Sequence, residues 1–183
     1  MNLTAKIVYE DLSHVKWADQ PSFQRMLFTT MAVNILNIIA DHFGVIPHVT
    51  SGQRLESDYE RLIAAGYHPA DTSDHFYGAV VPCRTPEHIA KYGKTYSLSV
   101  GASDIIFPGI DTFKAYEEIV ELDKTGKICC GQIIHEYGSG KDWIHVANDP
   151  ILFYSDKVVH DLLNRPKYLY SKDDGKTYEV YNG

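Results

Sequence analysis

Four side chains of the kinds that bind zinc or transfer protons occur between positions 75 and 145 of the sequence: His75, Asp104, Glu136 and His145. Histidine nitrogens and aspartate oxygens are zinc ligands, and a catalytic zinc site uses three protein ligands and leaves one coordination position for water. A carboxylate that stays off the metal then acts as the base. Singly, such residues are more commonly a loop histidine, a strand-ending aspartate or a cross-strand polar pair. As a set they predict a mononuclear zinc hydrolase, provided that the fold brings them together.

Hydrophobic periodicity predicts the elements that must position these side chains. Apolar residues recur at steps of three and four over residues 22–43, a helical pattern that Gly44 ends. An alternating pattern over 96–106 predicts a strand that carries Asp104. Weaker patterns predict a strand at 45–49, helices at 57–65, 111–122 and 157–164, and a hairpin between 168 and 181 around Asp174-Gly175.

Glu136 and His145 are predicted to lie on the two strands of one hairpin. Residues 128–137 and 143–147 both read as strands, and the connection between them is short and contains glycine. Such a connection is typical of an antiparallel pair. Because Glu136 ends the first strand and His145 lies in the second, the hairpin brings these two side chains close to each other.

The amino-acid composition limits the type of protein and the partners that the chain is expected to have. The chain has 183 residues, 44% of them hydrophobic and 22% charged, which is the balance of one globular domain over residues 1–183. Its net charge is −7 and no basic block occurs, so neither nucleic acid nor an anionic membrane surface is an expected partner. Three cysteines, an odd number, argue against a disulfide scaffold and are interpreted as structural: Cys83, Cys129 and Cys130.

No targeting or membrane-spanning segment is predicted. The first residues lack the basic region, apolar run and small-residue cleavage site of a signal peptide. The most apolar stretch, Met31 to Ala40, is interrupted by Asn34 and Asn37, so it is not expected to cross a membrane. The seven histidines other than His75 and His145 are interpreted as surface or capping residues.

The four candidate site residues and Arg54 lie in short sequence segments. These segments are Thr50-Ser51-Gly52-Gln53-Arg54, Ser73-Asp74-His75, Gly101-Ala102-Ser103-Asp104-Ile105, and Glu136 followed by Trp143-Ile144-His145-Val146. Together they resemble the zinc D-Ala-D-Ala carboxypeptidase and endopeptidase family, most closely its phage endolysin branch. The resemblance covers about residues 34–146. It implies a compact α+β single domain, with a central antiparallel sheet that carries a zinc site and with flanking helices. Residues 165–183 are then a C-terminal hairpin extension.

The resemblance also implies a role for each residue. One zinc ion is expected per chain, with Glu136 as the catalytic base. Arg54 is expected to be catalytic and to hold a carboxylate or carbonyl of the substrate, since its fork of donors suits a planar anion. The implied zinc ligands are His75, Asp104 and His145, and the further substrate-contact or packing residues are Ser73 and Trp143.

The chain departs from the family pattern at two places. The family motif His-x-x-Gly-x-Ala-x-Asp, read literally from His75, places Pro82 where the aspartate is needed, and proline cannot bind zinc. An insertion over residues 76–95 instead restores the aspartate at Asp104. Such a segment is either a lid over the cleft or a change that disables the site. Gln53 replaces a family tyrosine, which changes the expected substrate pocket.

The function that the resemblance implies is hydrolysis of an amide bond in peptidoglycan stem peptides, by a D,D- or L,D-type carboxypeptidase or endopeptidase. The expected partners are a peptidoglycan peptide and phage virion or lysis proteins. The expected location is the host cytoplasm before release, or the virion. Two alternatives stay open. One is an inactive structural or wall-binding component of a phage particle. The other is a metal-independent interaction domain that binds through its tyrosine-rich C-terminus.

Overall fold

The computed structural model describes residues 1–66, 69–70, 72–138, 140–154, 165–173 and 175–183. These residues form an α+β fold with four helices and a mixed sheet of six strands, beside a separate two-stranded sheet. The helices are α1 (Ser22–Phe43), α2 (Glu56–Ala64), α3 (Pro86–Tyr92) and α4 (Thr112–Lys124). The strands are β1 (His48–Ser51), β2 (Val81–Pro82), β3 (Thr95–Tyr96), β4 (Ala102–Ile106), β5 (Cys130–Gly138), β6 (Lys141–Asn148), β7 (Tyr168–Ser171) and β8 (Glu179–Val180).

The long helix α1 forms where the apolar periodicity predicts it and ends at Gly44, which adopts the left-handed conformation (φ +67°) that favours glycine. Its middle turn, Ala32–Leu36, is a π-helix. One side of α1 is fully buried in the core against the sheet. With 22 residues and a mean hydropathy of 1.3, α1 also has the length and composition of a helix that crosses a membrane. The expectation of no membrane span therefore stays a prediction.

The large sheet has the strand order β1-β4-β6-β5-β7-β8. Neighbouring strands are antiparallel except β5 and β7, which run parallel, with Ile133 beside Tyr168 and Glu136 beside Ser171. The prediction of an antiparallel sheet is therefore wrong at this one pairing. A parallel pair needs a long crossover, and here the chain from the end of β6 to the start of β7 supplies it. The predicted helix 157–164 falls in this crossover and lies outside the described residues.

Both predicted hairpins form, and the C-terminal one joins the main sheet. β5 and β6 pair antiparallel, as predicted, and the pairing ends with Gly138 beside Lys141. β7 and β8 also pair antiparallel, with Leu169 beside Val180. Because β7 pairs with β5, this second hairpin completes one side of the main sheet, and residues 165–183 belong to the body of the fold.

The two faces of the sheet have different roles. Ile105, Ile133, Ile144 and Val146 point into the main core, where they pack with α1 and α4. Since alternate residues of a strand point to opposite faces, their neighbours on β4, β5 and β6 point the other way. That second face carries Asp104, Glu136 and His145, and it forms the floor of a cavity.

The insertion 76–95 forms a small unit of its own. β2 and β3 pair antiparallel, and α3 connects them. A second hydrophobic cluster, separate from the main core, holds this unit together and includes Tyr59 of α2 at its margin. Arg84 stacks over the ring of Tyr59, with its guanidinium carbon 3.9 Å from the ring centre. The insertion is thus anchored on α2.

Candidate metal centre

Three of the residues predicted as zinc ligands converge at one point on the cavity face. His75 Nε2 lies 3.1 Å from Asp104 Oδ1 and 3.2 Å from His145 Nδ1, and His145 Nδ1 lies 2.9 Å from Asp104 Oδ1. Ligands at tetrahedral angles around zinc, with bonds of about 2.0–2.1 Å, stand about 3.3 Å apart. The three atoms are thus spaced nearly as a zinc ion requires, and this buried group could hold a metal ion.

The sheet and one short turn position the three ligands. Asp104 of β4 and His145 of β6 are directly paired across the two strands and so project from the same face. His75 reaches them from the 3-10 turn Asp74–Phe76. The Ser73 hydroxyl caps this turn by accepting from the backbone N–H of His75 at 3.4 Å. Ser73 therefore supports a ligand in addition to lining the cavity.

His75 is held in the tautomer that a metal ligand needs. Its Nδ1 lies 2.7 Å from the carbonyl oxygen of Gly52, which can only accept, so Nδ1 carries the proton and Nε2 keeps its lone pair. Burial, and next the nearby Arg54 cation, lower the pKa of His75 below its ordinary value. The ring is therefore neutral at pH 7, and its free lone pair points at Asp104 and His145.

Asp104 divides its two oxygens between the ligand group and Arg54. Oδ1 faces both histidine nitrogens, while Oδ2 accepts from a guanidinium nitrogen of Arg54 at 3.0 Å. Burial alone would raise the pKa of Asp104, but the hydrogen bond with His145 and the nearby Arg54 cation hold it well below its usual range. Asp104 is thus an anion. Arg54 lines the cavity, but its described partner is this candidate ligand.

Two acceptors face each other where the candidate ligands meet. The lone pair of His75 Nε2 and the anionic Oδ1 of Asp104 lie 3.1 Å apart. Buried acceptors that face one another are costly unless a proton or cation lies between them. The donor set of two imidazoles and one carboxylate is one that zinc binds, so these residues fit the predicted ion.

Glu136 stands on the same face but outside the ligand group. On β5 it lies opposite Trp143 of β6, two positions from the residue that pairs with His145. It is not among the residues whose atoms approach one another closely enough to share a metal. Burial, and next the charge of Asp104, raise the pKa of Glu136 above its ordinary value. A half-buried carboxyl with a raised pKa beside a metal centre is suited to accepting and returning a proton.

The centre opens into a cavity of about 580 Å³. The predicted substrate-contact residues Arg54, Ser73 and Trp143 all line it. The indole N–H of Trp143 is buried and has no hydrogen-bond partner within the described part of the chain. No described residue of the insertion 76–95 lines the cavity, so the insertion neither covers the centre nor separates its ligands.

The sequence patterns missed several residues of the cavity wall. Tyr178 and Gly175, from the loop between β7 and β8, stand beside Glu136. Asp74 is buried, pairs with Arg165 at 2.6 Å, and accepts from the backbone of Val100. It thereby ties the turn that carries His75 to the chain entering β4. Of these residues, only Asp74 had a sequence signal for a place at the site, namely its position inside the Ser73-Asp74-His75 segment.

Two residues interpreted from the sequence have other surroundings in the structure. Gln53 lies away from the cavity, where its side-chain oxygen accepts from Ser13 and Gln20 at 2.5 and 2.7 Å. Gln53 thus anchors residues 1–20, the N-terminal arm, and is not part of the cavity lining. His135, expected at the surface, is buried on the opposite face of the sheet and bonds Asp142 at 2.7 Å.

The resemblance to the zinc peptidase family rests on the short motifs and on the convergence of His75, Asp104 and His145. It remains a prediction. Comparison of the chain with protein-family models, with curated proteins and with solved structures found no match.

Proposed function

We propose that this protein is a zinc-dependent metallopeptidase that hydrolyses an amide bond in the peptide stems of peptidoglycan. The observation that carries the proposal is the approach of three ligand atoms to within 3.2 Å of one another, inside a cavity that Glu136 also lines. A metal alone would suit a structural site. A metal beside an off-metal carboxyl with a raised pKa suits hydrolysis.

Each residue of the centre has a task in the proposed reaction. His75, Asp104 and His145 hold the ion. A zinc ion bound there supplies a Lewis acid and lowers the pKa of water towards neutrality. Glu136 accepts the proton of the attacking water and delivers it to the leaving amine. Arg54 fixes Oδ2 of Asp104, so that Oδ1 is presented to the ion.

The substrate class and the setting are the parts of the proposal that come from the family resemblance. A cavity of about 580 Å³ is in the range that accommodates a short peptide segment. Peptidoglycan peptides are the proposed substrate, and phage lysis or virion proteins are the proposed partners. We propose that the protein acts after release from the host cytoplasm or as a part of the virion.

Metal content tests the first half of this proposal. We expect about one zinc ion per folded chain and its loss in His145→Ala, measured by mass spectrometry of the native protein and by elemental analysis. The matched control is His48→Ala, because His48 is an exposed histidine of β1 outside the cavity lining. A folded wild-type protein that takes up no zinc when the metal is supplied would refute the metal centre.

Turnover tests the second half. Zinc-loaded wild type should release new amino termini from purified muropeptides, and Glu136→Gln should lower kcat by about 10²–10⁴-fold while keeping its zinc. The glutamine variant preserves the shape of Glu136 and removes only its ability to transfer protons. Equal turnover by Glu136→Gln would refute Glu136 as the base. Zinc binding without any turnover would favour the inactive wall-binding alternative.

A further inference from the structure

Tyr178 is a cavity residue that no sequence motif pointed to. It stands directly before β8 and lines the cavity, and its hydroxyl donates to Oε1 of Glu136 at 3.3 Å. This separation is long for an O–H···O bond, as is common for catalytic hydrogen bonds before a substrate tightens the site. Tyr178 is thus in direct contact with the proposed base, although the two residues are 42 positions apart.

The loop that carries Tyr178 is shaped around this contact. Gly175 has a φ of +79°, in the left-handed region that favours glycine. A Cβ atom at Gly175 would lie 2.9 Å from the Tyr178 hydroxyl oxygen and 3.1 Å from Oε2 of Glu136. Any other residue would therefore crowd both groups. With glycine, no side chain from this position covers Oε2.

Tyr178 can act only as a donor to Glu136. Burial, and next the charge of Glu136, raise the pKa of Tyr178 well above its ordinary value, so the phenol keeps its proton. The groups around Glu136 act in opposite directions. The charge of Asp104 on β4 disfavours the ionised carboxylate, whereas His145 on β6, Arg54 after β1 and the Tyr178 hydroxyl favour it.

We propose that Tyr178 is a positioning residue for Glu136. Its hydroxyl holds Oε1, which fixes the rotation of the carboxylate and leaves Oε2 as the oxygen that takes and returns the proton. This inference rests on the proposed function, because it assigns Glu136 the role of base. Tyr178 acts through Glu136 and requires no contact with the substrate. The residue lies outside the stretch that resembles the zinc peptidase family.

The test is the zinc-loaded variant Tyr178→Phe, which keeps the ring and removes the donor. We expect unchanged zinc content, KM within about twofold and kcat lowered about tenfold, as for the loss of a supporting hydrogen bond. The acidic limb of the pH–rate profile should move to higher pH, because a donor that favours the ionised Glu136 is gone. The matched control is Tyr170→Phe, since Tyr170 donates to Glu179 in the same hairpin, away from the cavity.

A measurement without turnover separates this inference from the proposed function. The carboxyl carbon of Glu136 is titrated by carbon-13 NMR in zinc-loaded wild type, Tyr178→Phe and Tyr170→Phe. An upward shift of the Glu136 titration in Tyr178→Phe alone supports the positioning role. An unchanged titration, or an equal shift in both variants, overturns it. If wild type shows no turnover, the proposed function fails, and the titration still decides the role of Tyr178.

Discussion

At the scale of single residues, the centre depends on which oxygen or nitrogen of each side chain is already occupied. The carbonyl oxygen of Gly52 accepts from Nδ1 of His75, and Arg54 donates to Oδ2 of Asp104. One atom of each side chain, Nε2 of His75 and Oδ1 of Asp104, is therefore left to bind an ion. Partners of this kind fix the orientation of metal ligands and raise metal affinity. The candidate centre is therefore organised by Gly52 and Arg54, which are not themselves among its three candidate ligands.

The lowered pKa of His75 predicts how the stability of the metal-free protein depends on pH. The unfolded chain takes up a proton at about pH 6.5, whereas the folded state, with its lower pKa, does not. This contribution to stability is present above about pH 6.5 and is lost as the pH falls towards the folded-state pKa. We expect the Tm of chelator-treated protein to fall over this window. In His75→Gln the fall should be smaller.

The control for this measurement is His48→Gln, which should keep the pH dependence of the wild type because His48 is exposed on β1. The comparison uses the slope of Tm against pH, so a uniformly less stable variant remains informative. An identical slope in His75→Gln and wild type would contradict the assignment of His75 as a neutral ring in the folded protein.

At the scale of elements, the N-terminal arm supports the centre through Gly52. The backbone N–H of Gln53 donates to the carbonyl of Leu12 at 2.7 Å, and a Cβ atom at Gly52 would lie 2.2 Å from that carbonyl oxygen. Glycine is required here by the close approach of two chain segments. The same residue provides the carbonyl that orients His75, so the arm and the metal centre are coupled.

We expect Gly52→Ala to displace the arm or the Gly52 carbonyl and so to lower zinc affinity about tenfold, the usual effect of losing a ligand's supporting partner. Competition with a chromophoric chelator measures the affinity. Gly44→Ala is the control: it strains the end of α1, but a Cβ there meets nothing within 4 Å. Both variants should lose stability, and only Gly52→Ala should lose affinity. Equal zinc affinities in the two variants would show that the arm does not support the centre.

The convergence of the candidate ligands was expected from the resemblance, because each candidate stands in one of its short motifs. The short glycine-containing connection predicted the pairing of β5 with β6, whereas no local pattern predicted the pairing of β4 with β6 that places Asp104 beside His145. The bond from Arg54 to Asp104 and the contact from Tyr178 to Glu136 were not predictable. They join positions 50 and 42 residues apart, and local patterns do not encode such partners.

At the scale of the whole molecule, the C-terminal residues complete the sheet on the side of Glu136. The strand β7 gives β5 its second neighbour, and the preceding Lys167 pairs with the buried carboxylate of Asp123 at 2.7 Å. The Tyr168 hydroxyl also donates to Asp123 at 2.7 Å. The turn signal at Asp174-Gly175 predicted the hairpin itself. It did not specify that the first strand of the hairpin joins β5, because a local pattern does not determine which strand of a sheet is the neighbour.

Deletion of residues 165–183 should therefore unfold the protein or lower its Tm by about 10 °C or more. The deletion exposes the edge of β5 and leaves the buried carboxylate of Asp123 without Lys167 and without the Tyr168 hydroxyl. Differential scanning calorimetry measures the change. Deletion of residues 182–183 alone, which spares β7 and β8, is the control. A truncated protein with the Tm of the wild type would show that the hairpin is an independent extension.

The parallel pairing of β5 with β7 has a consequence for how the protein matures during synthesis. When the ribosome has released the chain through His145, all three candidate ligands are present, yet β5 still has an unpaired edge. Tyr178 arrives later still. The chain thus contains its candidate metal-binding groups before the groups around Glu136 have been synthesised. Under the proposed function, the side chains that would bind the ion therefore leave the ribosome before the residue that would position the base.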